Sequence, residues 1–144
     1  MVKSMPEPLF VDTGYVIALI NENDNHHAQA LRWADRYEGY PLVTTDAVLL
    51  EVGNALSRIA RPQGSQIIHY FQDADEVTLI HLNPILFNTA MRLYDGHQDK
   101  TWGLVDCVSF VVMRELQLST ALSFDRHFVQ AGFQLAEPPL KNSV

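Results

Sequence analysis

Four acidic side chains interrupt apolar stretches of this chain, where a charge is costly. The stretches are FVDTGYVIALI around Asp12, AVLLEVGNAL around Glu51, WGLVDCVSFVVM around Asp106, and TALSF, which Asp125 follows. A carboxylate moved out of water costs several kcal/mol unless it is paired, hydrogen-bonded or bound to a metal. Each of these acids therefore needs a partner.

A shared divalent metal is the economical partner for such a group of acids. Without a cation, neighbouring carboxylates would raise one another's pKa by repulsion. Ligands that are all oxygen favour Mg²⁺ or Mn²⁺ over Zn²⁺. A carboxylate cluster with one or two such ions can generate a nucleophilic water and stabilise the leaving oxygen of a phosphodiester, so the sequence predicts metal-assisted phosphoryl-ester hydrolysis.

Short apolar strands alternate with helical patterns along the whole chain. Strands are predicted at residues 9–11, 42–44, 77–82 and 120–124, with a strand-like segment at 133–136. Helices are predicted at 13–20, 27–37, 47–60, 65–73, 84–94 and 104–117, with a short one in 125–132 and N-caps at Asp46 and Asn83. This alternation predicts one domain over residues 1–144, of class α/β, in which a mainly parallel sheet of about four to five strands has helices on both faces.

The predicted sheet locates the four acids. Binding sites of open parallel sheets lie beyond the carboxyl ends of the strands, where Asp12 and Asp125 both fall. At about 100° per residue, Glu51 shares a helical stripe with small and polar residues, which points it towards a cleft. Asp106 falls in the first turn of its helix, where the helix dipole favours an anion.

Composition limits the class of protein. A net charge of −7 is the wrong sign for holding nucleic acid by passive phosphate neutralisation, so a phosphate-bearing substrate requires bound cations or a few local basic residues. The single cysteine, Cys107, excludes an internal disulfide and a cysteine-based zinc site. No apolar run approaches membrane-spanning length and the start MVKSMPEPLF lacks a signal-peptide pattern, so a cytoplasmic location is expected.

Each acid also has an ordinary explanation when taken alone. Asp12 suits a helix N-cap, Asp106 a first-turn acid, Glu51 a solvent-facing helix position and Asp125 a turn. Coincidence of all four in one chain is much less probable than any one. The remaining candidates have plainer interpretations: we expect surface positions for His26 and His27, packing for Trp33 and Cys107, and packing or base stacking for Trp102.

Four motifs carry a resemblance to a known family. In order, FVDTGYVIAL, TTDAVLLEVGNAL, DKTWGLVDCVSFVVM and TALSFDRHF resemble the PIN-domain ribonucleases, in particular the toxin half of VapBC-type toxin–antitoxin pairs. The resemblance covers nearly the whole chain, and its most specific parts are E-x-x-N-A-L at residues 51–56 and LSFDRHF. It implies a PIN-like three-layer α/β/α fold and Mg²⁺ or Mn²⁺ bound by Asp12, Glu51, Asp106 and Asp125. It also implies cleavage of single-stranded or looped RNA that leaves a 3′-hydroxyl and a 5′-phosphate.

The resemblance suggests roles and partners as well. Asp12 and Asp106 would hold the principal metal, Glu51 and Asp125 would complete the cluster, and either Asp125 or Glu51 would orient the attacking water. The supporting or substrate-contacting candidates are Thr13, Asn54, Asp99 and Arg126, and the other phosphate-contact candidates are Arg58, Lys100 and His127. The implied partners are RNA, a small antitoxin protein and a second copy of the chain in a homodimer, without a membrane. Two positions depart from the family pattern, Val105 where Thr is common and Gly14 where Ser is common; neither removes a predicted metal ligand.

Other functional classes fit less well. A phosphatase with an aspartyl nucleophile needs an acid two residues after Asp12, where this chain has Gly14, and a receiver domain needs an Asp at the end of a middle strand, which VTLIHLNP lacks. Two alternatives stay open within the family: a catalytically silent PIN-like scaffold that binds partners, and a PIN nuclease of RNA maturation. All four acids are present, which favours an enzyme.

Overall fold

The computed structural model describes residues 5–136, and the chain's ends, residues 1–4 and 137–144, lie outside that description. Five strands follow one another as β1 Leu9–Val11, β2 Leu42–Thr45, β3 Val77–Ile80, β4 Thr120–Leu122 and β5 Gln134–Leu135. The helices are α1 Thr13–Ile20, α2 His27–Arg36, α3 Asp46–Leu56, α4 Arg61–Asp73, α5 Pro84–Gly96, α6 Leu104–Glu115 and α7 His127–Gln130. The predicted alternation of strands and helices is confirmed.

The strands form one parallel sheet in the order β3-β2-β1-β4-β5. The central strand β1 pairs with β2 on one side, Phe10 opposite Val43, and with β4 on the other, Phe10 opposite Ala121. The chain therefore builds the sheet outward from β1 in one direction and then crosses back to build the other half. The crevice between β1 and β4, where the order reverses, is where such sheets place their binding sites.

Helices cover both faces of this sheet. Leu9, Phe10 and Val11 are all buried, although neighbouring strand residues point to opposite faces. Consequently β1 has packed side chains above and below it, which confirms the three-layer α/β/α architecture. The largest fully buried side chains include Phe10, Phe110 and Phe128, and the rings of Phe10 and Phe110 both contact that of Phe128.

The region around the second strand differs from the prediction. Thr45, not Asp46, is the N-cap of α3: the Thr45 Oγ accepts a hydrogen bond from the Val48 N–H at 3.1 Å. The Asp46 carboxylate instead accepts the Leu82 N–H at 2.8 Å, which ties α3 to the segment after β3. The strand continues one residue further than its apolar run because Thr45 keeps extended backbone geometry, with φ −124° and ψ 158°.

The helix predicted at 47–60 is shorter than expected, and the helix after it begins earlier. Helix α3 ends at Leu56, and α4 begins at Arg61 rather than at residue 65, with Pro62 in its first turn. Proline is compatible with the first turn because the N–H it lacks has no helical partner there. Gly64 lets the two helices approach closely, since a Cβ at this position would lie 3.1 Å from the Leu56 Cβ.

Elsewhere the differences are shifts of one to three residues at element ends. The predicted N-cap at Asn83 is confirmed, because its side-chain oxygen accepts the Leu86 N–H at 2.8 Å. Strands β3 and β4 end at Ile80 and Leu122, before the predicted 82 and 124. None of the helices within residues 5–136 combines the length and the apolar character needed to cross a membrane.

Candidate metal and active site

An open cleft of about 550 Å³ lies beyond the carboxyl ends of β1 and β4, and we call it the acidic cleft. It is lined by Asp12, Thr13, Gly14, Asp24, His26, Glu51, Asp106, Phe124, Asp125 and Arg126. The four acids singled out in the sequence therefore meet at one place, although they come from β1, α3, α6 and the segment after β4. They are joined there by Asp24, an acid that the sequence patterns did not indicate.

Asp12 is the most buried of these acids, with 7% of its surface exposed. It occupies the N-cap position of α1, yet its side chain makes no capping hydrogen bond, so the ordinary explanation of this residue as a cap fails. Its Oδ2 accepts a hydrogen bond from Ser123 Oγ at 2.7 Å. The pKa of Asp12 is raised to about 7, mainly because the side chain is buried. Hydrogen bonds from Ser123 and the Thr13 backbone act in the opposite direction, and the charges of Asp106 and Asp125 add to the increase.

Ser123 connects two of the acids. Besides donating to Asp12, its hydroxyl oxygen accepts the backbone N–H of Asp125 at 3.0 Å. The Asp125 carboxylate in turn accepts the backbone N–H of His127 at 2.9 Å. Ser123 is fully buried, so this arrangement is held rigidly at the end of β4. The sequence reasoning missed Ser123; the available signal was a small polar residue within the apolar run TALSF.

Asp106 is held through one of its two oxygens. Its Oδ2 accepts the backbone N–H of Gly103 at 3.0 Å, which caps α6, and lies 3.0 Å from the Nδ1 of His127. The Nε2 of His127 lies 3.1 Å from the Thr101 hydroxyl. Both contacts are satisfied by a neutral imidazole that donates from Nδ1 and accepts at Nε2. The Asp106 Oδ1 is thereby left to face another ligand.

Glu51 reaches the cleft from the exposed side of α3. Its Oε1 accepts a hydrogen bond from the Thr13 hydroxyl at 2.7 Å, which ties α3 to the first turn of α1. The helical stripe of small and polar residues had indicated this orientation. The Thr13 hydroxyl was expected to steady a carboxylate, and the carboxylate it contacts is that of Glu51.

The donor set suits a divalent cation. One carboxylate oxygen from each of Asp106 and Asp125 and a ring nitrogen of His127 all lie within 4.8 Å of one another. Asp12 adds a buried carboxylate beside them, whose raised pKa shows that its charge lacks compensation from the described residues. The carboxylate oxygens suit Mg²⁺ or Mn²⁺, while both ring nitrogens of His127 are engaged, one with Asp106 and one with Thr101.

Several other candidates occupy different places. Arg126 lines the acidic cleft and is exposed. Asn54 lies on the exposed surface of α3, and Arg58 is exposed in the turn that follows this helix. Neither is among the cleft residues. Asp99 forms an exposed ion pair with Lys100 at 3.0 Å, whose hydrogen bond lowers the pKa of Asp99. His127, expected to contact phosphate, instead contacts two of the acids.

Comparison with known sequences gives a consistent result. Residues 9–134 match the family described as PIN domain. Over 132 residues the chain is 31% identical to the 23S rRNA-specific endonuclease VapC20 of Mycobacterium tuberculosis, in strains H37Rv and CDC 1551 alike. The alignment covers 90% of this chain and 98% of that protein.

Solved structures resemble the fold over nearly the same length. The crystal structure of Mycobacterium tuberculosis VapC20, described as a Sarcin-Ricin loop cleaving toxin, matches with a TM-score of 0.77 and 30% identity, covering 87% of this chain and 95% of that one. FitAcB from Neisseria gonorrhoeae matches with a TM-score of 0.63 over 90% of this chain and 97% of that one. At 12% identity the second likeness concerns the fold alone.

Proposed function

The chain belongs to the PIN domain family, and from that premise we propose that it is a metal-dependent endoribonuclease, the toxin of a type II toxin–antitoxin pair. The observation that carries the proposal is the convergence of Asp12, Glu51, Asp106 and Asp125 on one cleft. A cluster of this kind is unfavourable as a purely structural feature, because burial and the charges of Asp106 and Asp125 both oppose ionisation of Asp12.

In the proposed mechanism Asp12 and Asp106 hold the principal Mg²⁺ or Mn²⁺, and Glu51 and Asp125 complete the cluster. When bound, the ion supplies an activated water and stabilises the charge that develops on the leaving oxygen. The chain's own contribution is orientation. Ser123 fixes Asp12, the Gly103 N–H and His127 fix Asp106, and Thr13 fixes Glu51. Such supporting contacts set metal affinity as strongly as the ligands themselves.

The names of the relatives support a proposal for the substrate. VapC20 is named for the cleavage of 23S rRNA and described as cleaving the Sarcin-Ricin loop, and its sequence aligns with almost the whole of this chain. We therefore propose a structured loop of 23S rRNA as the first substrate to test. Because ribosomes are in the cytoplasm, a ribosomal RNA substrate also agrees with the expected cytoplasmic location of this protein.

The finer features of the family are proposed on the same basis. We propose that residues 1–144 form a single PIN domain, that a small antitoxin covers the acidic cleft, and that the chain works as a homodimer. An antitoxin is needed physiologically if the enzyme cuts ribosomal RNA, because uninhibited cleavage would stop translation in its own cell.

The direct test is cleavage of RNA by the purified full-length chain. Intact ribosomes, isolated 23S rRNA, unstructured RNA and matching DNA are incubated with Mg²⁺, with Mn²⁺ or with EDTA, and fragment ends are mapped. We expect cleavage of the RNA that requires metal and leaves a 5′-phosphate. The variants Asp12→Asn and Asp106→Asn should lower the rate about a hundredfold or more, since several kcal/mol of transition-state stabilisation is lost.

Asp95→Asn is the matched control, because Asp95 is an exposed acid of α5 outside the cleft and the variant should cleave like the wild type. Equal loss in the control and the cleft variants would contradict the proposal. Absence of cleavage in either metal, from folded protein without a co-purified inhibitor, would favour the catalytically silent scaffold.

A further inference from the structure

A second depression, which we call the aromatic groove, adjoins the acidic cleft. It has a volume of about 630 Å³ and lies between α2 and the segments that follow β4. His26, Phe124 and Arg126 line both the groove and the cleft, so the two spaces are immediate neighbours. A volume of this size accommodates a nucleotide. Sequence patterns had assigned the histidine an ordinary surface role and had left the groove undetected.

Three stacked rings form the wall between the two spaces. The ring of His26 lies 4.2 Å from that of Phe124 with an interplanar angle of 10°, and Phe124 lies 4.8 Å from Trp33 at 12°. Trp33 is buried and anchors the stack in the core, whereas 54% of the His26 side chain is exposed. The stack of three rings therefore ends in the ring of His26, which packs against Phe124 and is partly exposed to solvent.

The charge of the groove is opposite to that of the cleft. Its lining contains Arg32 and Arg126 and no Asp or Glu among the described residues, in a chain whose net charge is −7. Arg32 is oriented by its hydrogen bond to the Gln29 side chain at 2.6 Å. Because the acidic cleft repels phosphates that it does not hold through a cation, these arginines supply attraction next to it.

We propose that the aromatic groove binds an unpaired ribonucleotide next to the phosphodiester that is cut. Its base stacks on the exposed face of His26, and its phosphates contact Arg126 and Arg32. The proposal rests on the proposed RNA-cleaving function, which it extends from chemistry to substrate placement. Stacking on an aromatic ring together with arginine contacts is how proteins hold single-stranded RNA.

The features of the groove favour RNA over a protein segment. An apolar peptide side chain needs only an apolar pocket, whereas this groove also offers a stacked ring and two guanidinium groups that can bind phosphate. Because the groove and the acidic cleft share three lining residues, a nucleotide in the groove would lie beside the cleft that holds the four acids. The amide side chains of Asn25 and Gln29 also line the groove and can read a base edge.

Binding without cleavage tests this placement. A fluorescein-labelled single-stranded oligoribonucleotide of mixed sequence is titrated with the full chain in Ca²⁺ at several salt concentrations, and anisotropy is recorded. We expect Arg32→Gln, Arg126→Gln and His26→Ala each to weaken binding about fivefold or more. Each arginine variant should also reduce the salt slope by about 0.7. His26→Tyr should keep most of the affinity, because it keeps an aromatic face.

Arg92→Gln and His69→Ala are the matched controls, since both residues are exposed helix positions outside the groove and the cleft. As a second measurement, an oligoribonucleotide carrying 4-thiouridine is irradiated on the protein and the linked peptides are identified. We expect links within residues 25–33 or 123–129. Wild-type affinity in the groove variants, or equal loss in the controls, would overturn the proposal and leave the groove to a protein segment.

The same experiments separate this proposal from the proposed function. If the groove variants lose affinity but the wild type cuts no RNA in either metal, the nucleotide site stands and the nuclease assignment falls. If RNA is cut in a manner that depends on Asp12 while the groove variants bind like the wild type, the nuclease stands and the nucleotide site is overturned.

Discussion

The hydroxyl of Ser123 lies 2.7 Å from the Oδ2 of Asp12, although the two residues are 111 positions apart in the chain. The contact crosses from the end of β4 to the end of β1, the neighbouring strands at the reversal of the sheet order. The same hydroxyl accepts the Asp125 N–H, so one fully buried atom sets the separation of two acids. The geometry of the proposed metal site thus depends on a residue that is not one of its proposed ligands.

We expect Ser123→Ala to weaken metal binding about 10- to 100-fold, the usual effect of removing a group that orients a metal ligand. Calorimetric titration with Mn²⁺ measures this directly. Ser109→Ala is the control, because Ser109 is equally buried but its hydroxyl donates to the Val105 carbonyl, within α6. Unchanged Mn²⁺ affinity in Ser123→Ala would contradict the assigned role.

The buried position of Asp12 predicts a dependence of stability on pH in the metal-free chain. The pKa of Asp12 is about 7 when folded, against 3.8 for an ordinary Asp, so between these values the folded state keeps a proton that the unfolded state has lost. Stability therefore falls as pH rises through this window and the full penalty is present above pH 7. Asp12→Asn removes the penalty, and its gain in unfolding free energy should grow by on the order of 3 kcal/mol between pH 5 and pH 8.

Urea unfolding in EDTA at pH 5 and pH 8 checks this expectation. Asp99→Asn is the comparison: the pKa of Asp99 is lowered, so its carboxyl is ionised in both states over this range and its effect should not change with pH. Adding Mn²⁺ at pH 8 should stabilise the wild type more than Asp12→Asn, because the ion binds the ionised carboxylate of the folded state. If the difference in unfolding free energy between Asp12→Asn and the wild type does not change with pH, the pKa of Asp12 is not raised in the folded state.

Local sequence patterns were sufficient for the sheet and for the positions of the acids. Asp12 and Asp125 each follow an apolar run, and parallel strands bring their carboxyl ends to one edge, so their proximity followed from the pattern alone. Glu51 was indicated by its helical stripe. These inferences use only patterns within short stretches of sequence and the rule that parallel strands bring their carboxyl ends to the same edge of a sheet.

The supporting residues escaped prediction because their partners are remote in sequence. Ser123 and His127 acquire their roles from contacts with Asp12 and Asp106, 111 and 21 positions away, which no local period encodes. The N-cap at Thr45 was missed for a different reason. Thr and Asp are both favourable caps, and the choice depended on whether β2 ended at residue 44 or 45.

His127 should act by positioning Asp106 rather than by touching the substrate. We expect His127→Ala to raise the Mn²⁺ concentration needed for half-maximal cleavage about tenfold, with a smaller change in the rate at saturating metal. His127→Asn should restore much of the metal affinity, because the Asn amide can donate from about the place of the imidazole Nδ1. Thr101→Val, which removes the group at Nε2, should show a weaker effect in the same direction. A lower saturating rate with an unchanged metal requirement would instead indicate a catalytic role.

We expect the Thr13 hydroxyl to affect cleavage only by holding the Glu51 side chain in place. Glu51 is exposed, and without the 2.7 Å hydrogen bond from Thr13 its side chain would sample several rotamers outside the acidic cleft. We therefore expect Thr13→Val to reduce cleavage about three- to tenfold, in line with the net contribution of about 1 kcal/mol that a typical hydrogen bond makes, and Thr13→Ser to retain nearly full activity. The two substitutions should be compared in a Glu51→Gln background as well as in the wild type. If Glu51 carries the effect, Thr13→Val will cost much less once Glu51 has lost its charge, and an equal cost in both backgrounds would place the role of Thr13 elsewhere.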